Sequence, residues 1–197
     1  SKVREPLFNP QKAYTRIRDH FNSHNGIGGA YDQAIALKKF IESKDEIILY
    51  ENKNKKFIIK DISRKKILPI VLTLNQFGGL AVNTGLILEK EDSQPYPWVC
   101  NWHDFENIIE ILNYLEKKPE DFIDYICWRI EEHTHILSSD ELDVIDQYFM
   151  NPSIKKENGE IFFAPNGPNL IDKIYFEKHH IPYEYPPLKL VNNKEKI

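Results

Sequence analysis

Seven cations crowd into fourteen positions: Lys53, Lys55, Lys56, Lys60, Arg64, Lys65 and Lys66, with Asp61 the one acid among them. Density of this kind suits a phosphate backbone, because each lysine or arginine contact releases condensed counterions. It also suits a solvated strand edge, where lysine blocks unwanted pairing. Just ahead, Glu51-Asn52-Lys53 follows the apolar run Ile47–Tyr50. A carboxylate beside a lysine at a strand end can hold Mg²⁺, which activates water and stabilises a phosphoryl transition state. That chemistry needs a further acid upstream, and Asp32 and Asp45 are the candidates. Asp32 falls in a helical stretch and Asp45 is close in sequence, so neither suits the role well. Glu51 and Lys53 are the candidate catalytic pair, with Mg²⁺ the cofactor only if Glu51 acts.

Cys100-x-x-His103, with Cys127, His133 and His135, contains ligand types for a tetrahedral zinc site. Against this, Cys127 sits between Ile126 and Trp128 in a helical pattern, where a small buried thiol is ordinary packing. His133 and His135, two apart, face different sides of a helix. The expectation is no bound metal. Gly26-Ile27-Gly28-Gly29 precedes a helix but follows no strand, which phosphate-binding glycine loops require, so it reads as a helix-to-helix turn. His179-His180 has no evident acid or nucleophile partner and reads as a helix C-terminus favoured by the dipole.

The net charge of −4 hides a split. Residues 1–66 carry 15 Lys/Arg against 8 Asp/Glu, whereas residues 67–197 carry 11 against 22. Such asymmetry marks either a region facing nucleic acid or two halves that neutralise each other on folding. The stretch 89–146 is especially acidic, with 16 Asp/Glu against 4 Lys/Arg. It would steer a basic protein partner. No apolar run approaches the ~20 residues of a membrane span. The opening Ser1–Gln11 is polar with two prolines, unlike a secretory leader. Two cysteines make a poor disulfide framework and point to reduced thiols in the cytoplasm.

The elements that would position these groups follow from periodicity. Asn9-Pro10 opens a helix with Ala13, Ile17 and Phe21 inward, and a second helix spans about 30–43. Glu46–Tyr50 and Phe57–Ile62 read as strands joined across Asn52–Lys56. Ile67–Leu74 reads as a strand buried on both faces, and Leu86–Glu89 and Trp98–Trp102 as two shorter ones. Phe105, Ile108, Ile109, Leu112 and Leu115 form an amphipathic stripe. Pro119 opens the next helix, and Ser138-Ser139-Asp140-Glu141 caps another carrying Leu142, Ile145 and Phe149. Asn158-Gly159 suggests a small hairpin between Ile154–Lys156 and Glu160–Phe163. A short helix near Leu170–Lys178 and a proline-rich tail complete the chain. The predicted class is α+β: two N-terminal helices, a central, mostly antiparallel or mixed sheet of about five strands, then a helical C-terminal half with a small hairpin. Residues 1–150 would form the core domain, with 151–197 packed on it.

Several stretches occur together in order: Tyr31-Asp32-Gln33-Ala34, Leu68-Pro69-Ile70-Val71-Leu72-Thr73-Leu74, Pro97-Trp98-Val99, Asp104-Phe105-Glu106 and Phe122-x-x-Tyr125-x-x-x-Arg129. Over residues 10–150 this resembles the portion that follows the catalytic segment in uncharacterised bacterial proteins with a nuclease-related, PD-(D/E)xK-like domain. In such nucleases the acid and the Glu-x-Lys lie ahead of the Gln-bearing helix, an order not found here. The resemblance therefore implies a nuclease-like accessory domain without a complete active site of its own. The expectations are a nucleic-acid-associated domain using residues 53–66 or, in its place, a protein-interaction module using the acidic stretch 89–146.

Overall fold

The computed structural model describes residues 10–151, 154, 161–163 and 170–182. Helix α1 (Pro10–Asn22) is followed by α2 (Ile27–Glu42), which starts three residues earlier than its sequence pattern suggests. The reason is close backbone approach. A Cβ on Gly26 would lie 1.7 Å from the His20 carbonyl oxygen, and one on Gly29 would lie 1.8 Å from that of His24. Only glycine lets the two helices meet so tightly. Phe21, Ile27, Tyr31 and Ile35 form a satellite core with Val71, Leu88 and Val99.

The expected five-stranded central sheet is not seen among the described residues. Among the described residues the strands make three separate pairs. β1 (Glu46–Glu51) and β2 (Asn54–Lys60) form an antiparallel hairpin. β3 (Ile70–Thr73) pairs in parallel with β4 (Trp98–Asn101). β5 (Ile136–Ser138) pairs in parallel with β6 (Ile161–Phe163), which belongs to the second segment of the expected C-terminal hairpin. Asn158-Gly159 lies outside the described residues. The stretch around Leu86–Glu89 is not a strand but a 3₁₀ turn (Thr84–Leu86) and a loop. β3 is buried on one face only, since Val71 is 5% exposed while Ile70 and Leu72 are 39% and 42% exposed. The short helix α3 (Gly79–Val82) lies in the connection from β3 to β4.

Helix α5 (Pro119–Glu131) begins at Pro119 as expected, α6 (Glu141–Met150) begins with Asp140 of the capping signature as its cap, and α4 (Trp102–Tyr114) begins on the last residue of the stretch read as the strand Trp98–Trp102. The Asn101 side chain accepts the His103 N–H, and that of Asp140 accepts the Leu142 N–H. On α4 the inward row is Ile108, Ile111 and Leu112, with Ile109 left exposed. These helices build the main core around Trp98, Tyr125, Ile126, Ile136 and Ile145. Helix α7 (Leu170–Lys178) docks on it through Leu170 and Ile174, and Asp146 accepts the Leu170 N–H at its start.

A charged cluster sits inside this core. Glu141 Oε1 accepts hydrogen bonds from Trp98 Nε1 at 2.8 Å, from Arg129 Nε at 2.9 Å and from the Tyr125 hydroxyl. Arg129 Nη2 donates to Glu141 Oε2 at 2.9 Å and to the Val82 carbonyl at 2.8 Å. Arg129 is 1% exposed. Burial pushes the Tyr125 hydroxyl well above its ordinary value, and the Glu141 charge adds to the rise. Breaking one side of such a pair strands a buried charge, which costs about 3–5 kcal/mol. Glu141→Ala should therefore lose that much stability in urea unfolding. The double variant R129M/E141L should recover only part of it, because Trp98 Nε1 and the Tyr125 hydroxyl still lose their acceptor.

His133 is also buried, with Nε2 accepting the Gly85 N–H at 3.2 Å and lying 2.8 Å from Thr84 Oγ1. The ring stacks on Tyr96 at 4.8 Å. Burial, with help from the Arg129 charge, lowers its pKa to about 3. Below its ordinary value of about 6.5 the unfolded chain takes up a proton that the folded chain refuses. His133 thus withdraws stability as pH falls from about 6.5 toward 3, by up to about 1.4 kcal/mol per pH unit. The stability difference between wild type and His133→Gln should drift in favour of the variant across that window, measured by denaturant titration at stepped pH.

Candidate nucleic-acid interface

The β1–β2 hairpin turns through Asn52 and Lys53, whose φ angles are 49° and 67°. Positive φ at both central residues matches the right-handed twist of the flanking strands. Ile47, Leu49, Phe57 and Ile59 face each other across the ribbon in register, as do Ile48 and Ile58. A register shift between Leu49 and Tyr50 sets Tyr50 opposite Lys55. Every residue of β2 is exposed. The ribbon is held to the rest of the chain at its base, where the Ile62 N–H reaches the Asp45 carbonyl and the Ile62 side chain is buried.

This geometry displays the basic cluster. Lys53 occupies the turn, Lys55, Lys56 and Lys60 lie on β2, Arg64 ends the 3₁₀ turn Ile62–Arg64, and Lys65 and Lys66 follow. Lys56 pairs with Glu51 at 2.7 Å and Lys66 with Glu131 at 3.0 Å. The Glu131 hydrogen bond, then the neighbouring Cys127 thiol, raises the pKa of Lys66. Among the described residues Lys53, Lys55, Lys60, Arg64 and Lys65 have no ion-pair partner. Tyr50 and Phe57 stand beside them, 63% and 56% exposed. The Lys56 ammonium lies 5.7 Å from the Phe57 ring centre.

The charge split is partly neutralised across the fold. Arg18–Glu89 at 2.5 Å, Lys39–Glu91 at 3.8 Å and Lys66–Glu131 at 3.0 Å each join the basic first third to the acidic remainder. All six side chains are more than half exposed, so each pair is worth no more than about 1 kcal/mol. The hairpin tip stays outside this compensation.

Glu51 and Lys53 sit at the exposed end of the ribbon, where Glu51 is engaged by Lys56. Asp32 lies within α2 and Asp45 just before β1. Among the described residues no three His, Cys, Asp or Glu side chains are grouped to hold a metal ion. The Cys/His set is dispersed. Cys100 is buried, with its thiol donating to the Asn101 carbonyl, and burial, then Glu141, raises its pKa. His103 pairs with Glu106 at 3.4 Å and His135 with Glu132 at 2.9 Å, while His133 is committed to Thr84 and Gly85. The glycines 26, 28 and 29 serve the α1–α2 junction, as the helix-turn reading expects.

Sequence reasoning missed the Arg129–Glu141 pair. Glu141 reads as an acidic residue favouring a helix N-terminus, and nothing in its spacing marks it as buried. A signal was available in Trp98, Tyr125 and Arg129, three donors on inward positions that together require one shared acceptor. Comparison of the chain with family models, with curated proteins and with solved structures returned no match.

Proposed function

We propose that the protein is a nucleic-acid-associated accessory module that grips a phosphate backbone with the β1–β2 ribbon and the basic turn after it. The observation that carries this reading is the set of five exposed cations, Lys53, Lys55, Lys60, Arg64 and Lys65, left without ion-pair partners among the described residues. A two-stranded ribbon is narrow enough to enter a major groove. Exposed Tyr50 and Phe57 add faces on which unpaired bases can stack. The reading is one of binding, and Glu51 is engaged by Lys56 within the ribbon.

The alternative, capture of a basic protein by the acidic stretch 89–146, has less free charge than its composition suggests. Glu141 is neutralised internally, and Glu89, Glu91 and Glu131 are paired with the basic half. Fluorescence anisotropy with labelled single- and double-stranded DNA and RNA, in Mg²⁺ and across a salt series, decides between them. Binding should fall linearly in log–log form with salt. The K53Q/K55Q/K60Q variant should flatten that slope by roughly 0.7–0.9 for each phosphate no longer neutralised. Absence of binding at low salt would remove this reading and leave the acidic surface as the one to test.

A further inference from the structure

From Ile67 to Leu88 the chain carries no charged residue. β3 lies inside this run, and among the described residues β4 is its one strand partner. The Trp98 N–H donates to the Pro69 carbonyl at 3.0 Å, and Ile70 is in register with Trp98. In a parallel ladder of that phase, Val71 and Thr73 turn their backbone groups to β4, while Ile70 and Leu72 turn theirs the other way. Among the described residues these outward N–H and C=O groups have no partner. β4 is buried along its whole length, so the open side of this sheet is β3.

The side chains on this edge are uncovered as well. Ile70 and Leu72 are 39% and 42% exposed, and Leu74, next in the row, is 87% exposed. In register, Ile70 and Leu72 share a face with Trp98 and Cys100, each 1% exposed, so the helices that bury β4 stop short of β3. Val71, on the opposite face, packs into the satellite core with Tyr31 and Ile35 of α2. Exposed edges are commonly guarded by lysine or by a covering element. The β1–β2 ribbon has that guard in Lys55 and Lys60, whereas β3 has no charged residue at all.

We propose that this edge pairs with the same edge of a second copy, antiparallel about a twofold axis at Val71, joining two small sheets into one of four strands. What selects a second copy is self-complementarity, the requirement of an isologous contact. Turned about that axis, Ile70 of each copy faces Leu72 of the other as a hydrogen-bonded pair. The outward N–H and C=O of both residues are then all satisfied. An uncharged row meets an uncharged row, and no like charges are brought together on it. The contact is small for a specific interface, which places its affinity in the micromolar range. It stands apart from the nucleic-acid reading, since the ribbon lysines lie on other elements.

The test is sedimentation velocity of the full chain from micromolar to near-millimolar concentration, paired with amide hydrogen exchange read by NMR at low and high concentration. A monomer–dimer equilibrium little changed by salt is expected. Exchange at Ile70 and Leu72 should slow at least tenfold in the dimer, whereas Val71 and Thr73, already bonded to β4, should change little. Leu72→Pro removes only an outward N–H, a position where an edge strand tolerates proline, and should weaken the dimer tenfold or more in a folded chain. Leu72→Lys places like charges on the paired edges and should do the same, and it decides the matter if L72P does not fold. K55Q/K60Q should leave the dimer intact. A chain that stays monomeric at the highest concentration overturns the proposal. So does a dimer that L72K leaves unchanged, one that folded L72P leaves unchanged, one lost in K55Q/K60Q, or one whose exchange protection falls elsewhere than Ile70 and Leu72.

Discussion

The acceptor capacity of one buried carboxylate organises the main body of this protein. Glu141 receives donors from β4, from two positions on α5 and, through Arg129, is tied to the carbonyl that ends α3. Four elements far apart in sequence thereby share one point of registration. A hydrophobic core alone tolerates sliding and repacking, because apolar contact is non-directional. Directional donors converging on two oxygens do not, and the helices around Trp98 inherit their orientation from that demand. Arg129 Nη1 remains unpartnered, so the cluster is tightly but not fully satisfied.

That point of registration also bears on the open edge of β3. Through Trp98 it holds β4, which pairs in parallel with β3, the strand that follows the basic turn. The ribbon itself owes little to the core. It is stabilised by its own cross-strand pairs, chiefly Leu49 with Phe57 and Ile48 with Ile58.

What could be read from the sequence follows the range of the forces involved. Helices α4 to α6 were legible because capping residues and 3.6-residue periodicity act within a few positions; Pro119 and the Ser138–Glu141 signature mark two of the starts, and α4 shows through its apolar stripe. The hairpin was legible for the same reason, although its turn is two residues rather than five. The sheet was not. β3 finds β4 across an intervening helix, and β6 joins β5 in parallel, choices made by packing and invisible to local pattern. Leu86–Glu89 shows the hazard: an apolar run of strand length that instead turns, with Leu88 inserted into the satellite core, Ile87 packed against it and Leu86 left out. The basic cluster was visible as composition. The open edge of β3 was not, since Ile67–Leu74 reads locally as a strand covered on both faces.

The ribbon's isolation links two properties that are usually adjusted separately. Among the described residues β1 and β2 pair only with each other, so both outer edges offer unpaired backbone groups flanked by Leu49, Tyr50, Phe57 and Ile59. An uncovered edge of this composition invites another copy to add a strand, and mutual repulsion between like-charged lysines opposes that pairing. The charge that would attract a polyanion is then the same charge that opposes pairing between copies. A bound polyanion would neutralise that repulsion, bring ribbons within pairing distance and turn occupancy of the ligand into a trigger for clustering along it.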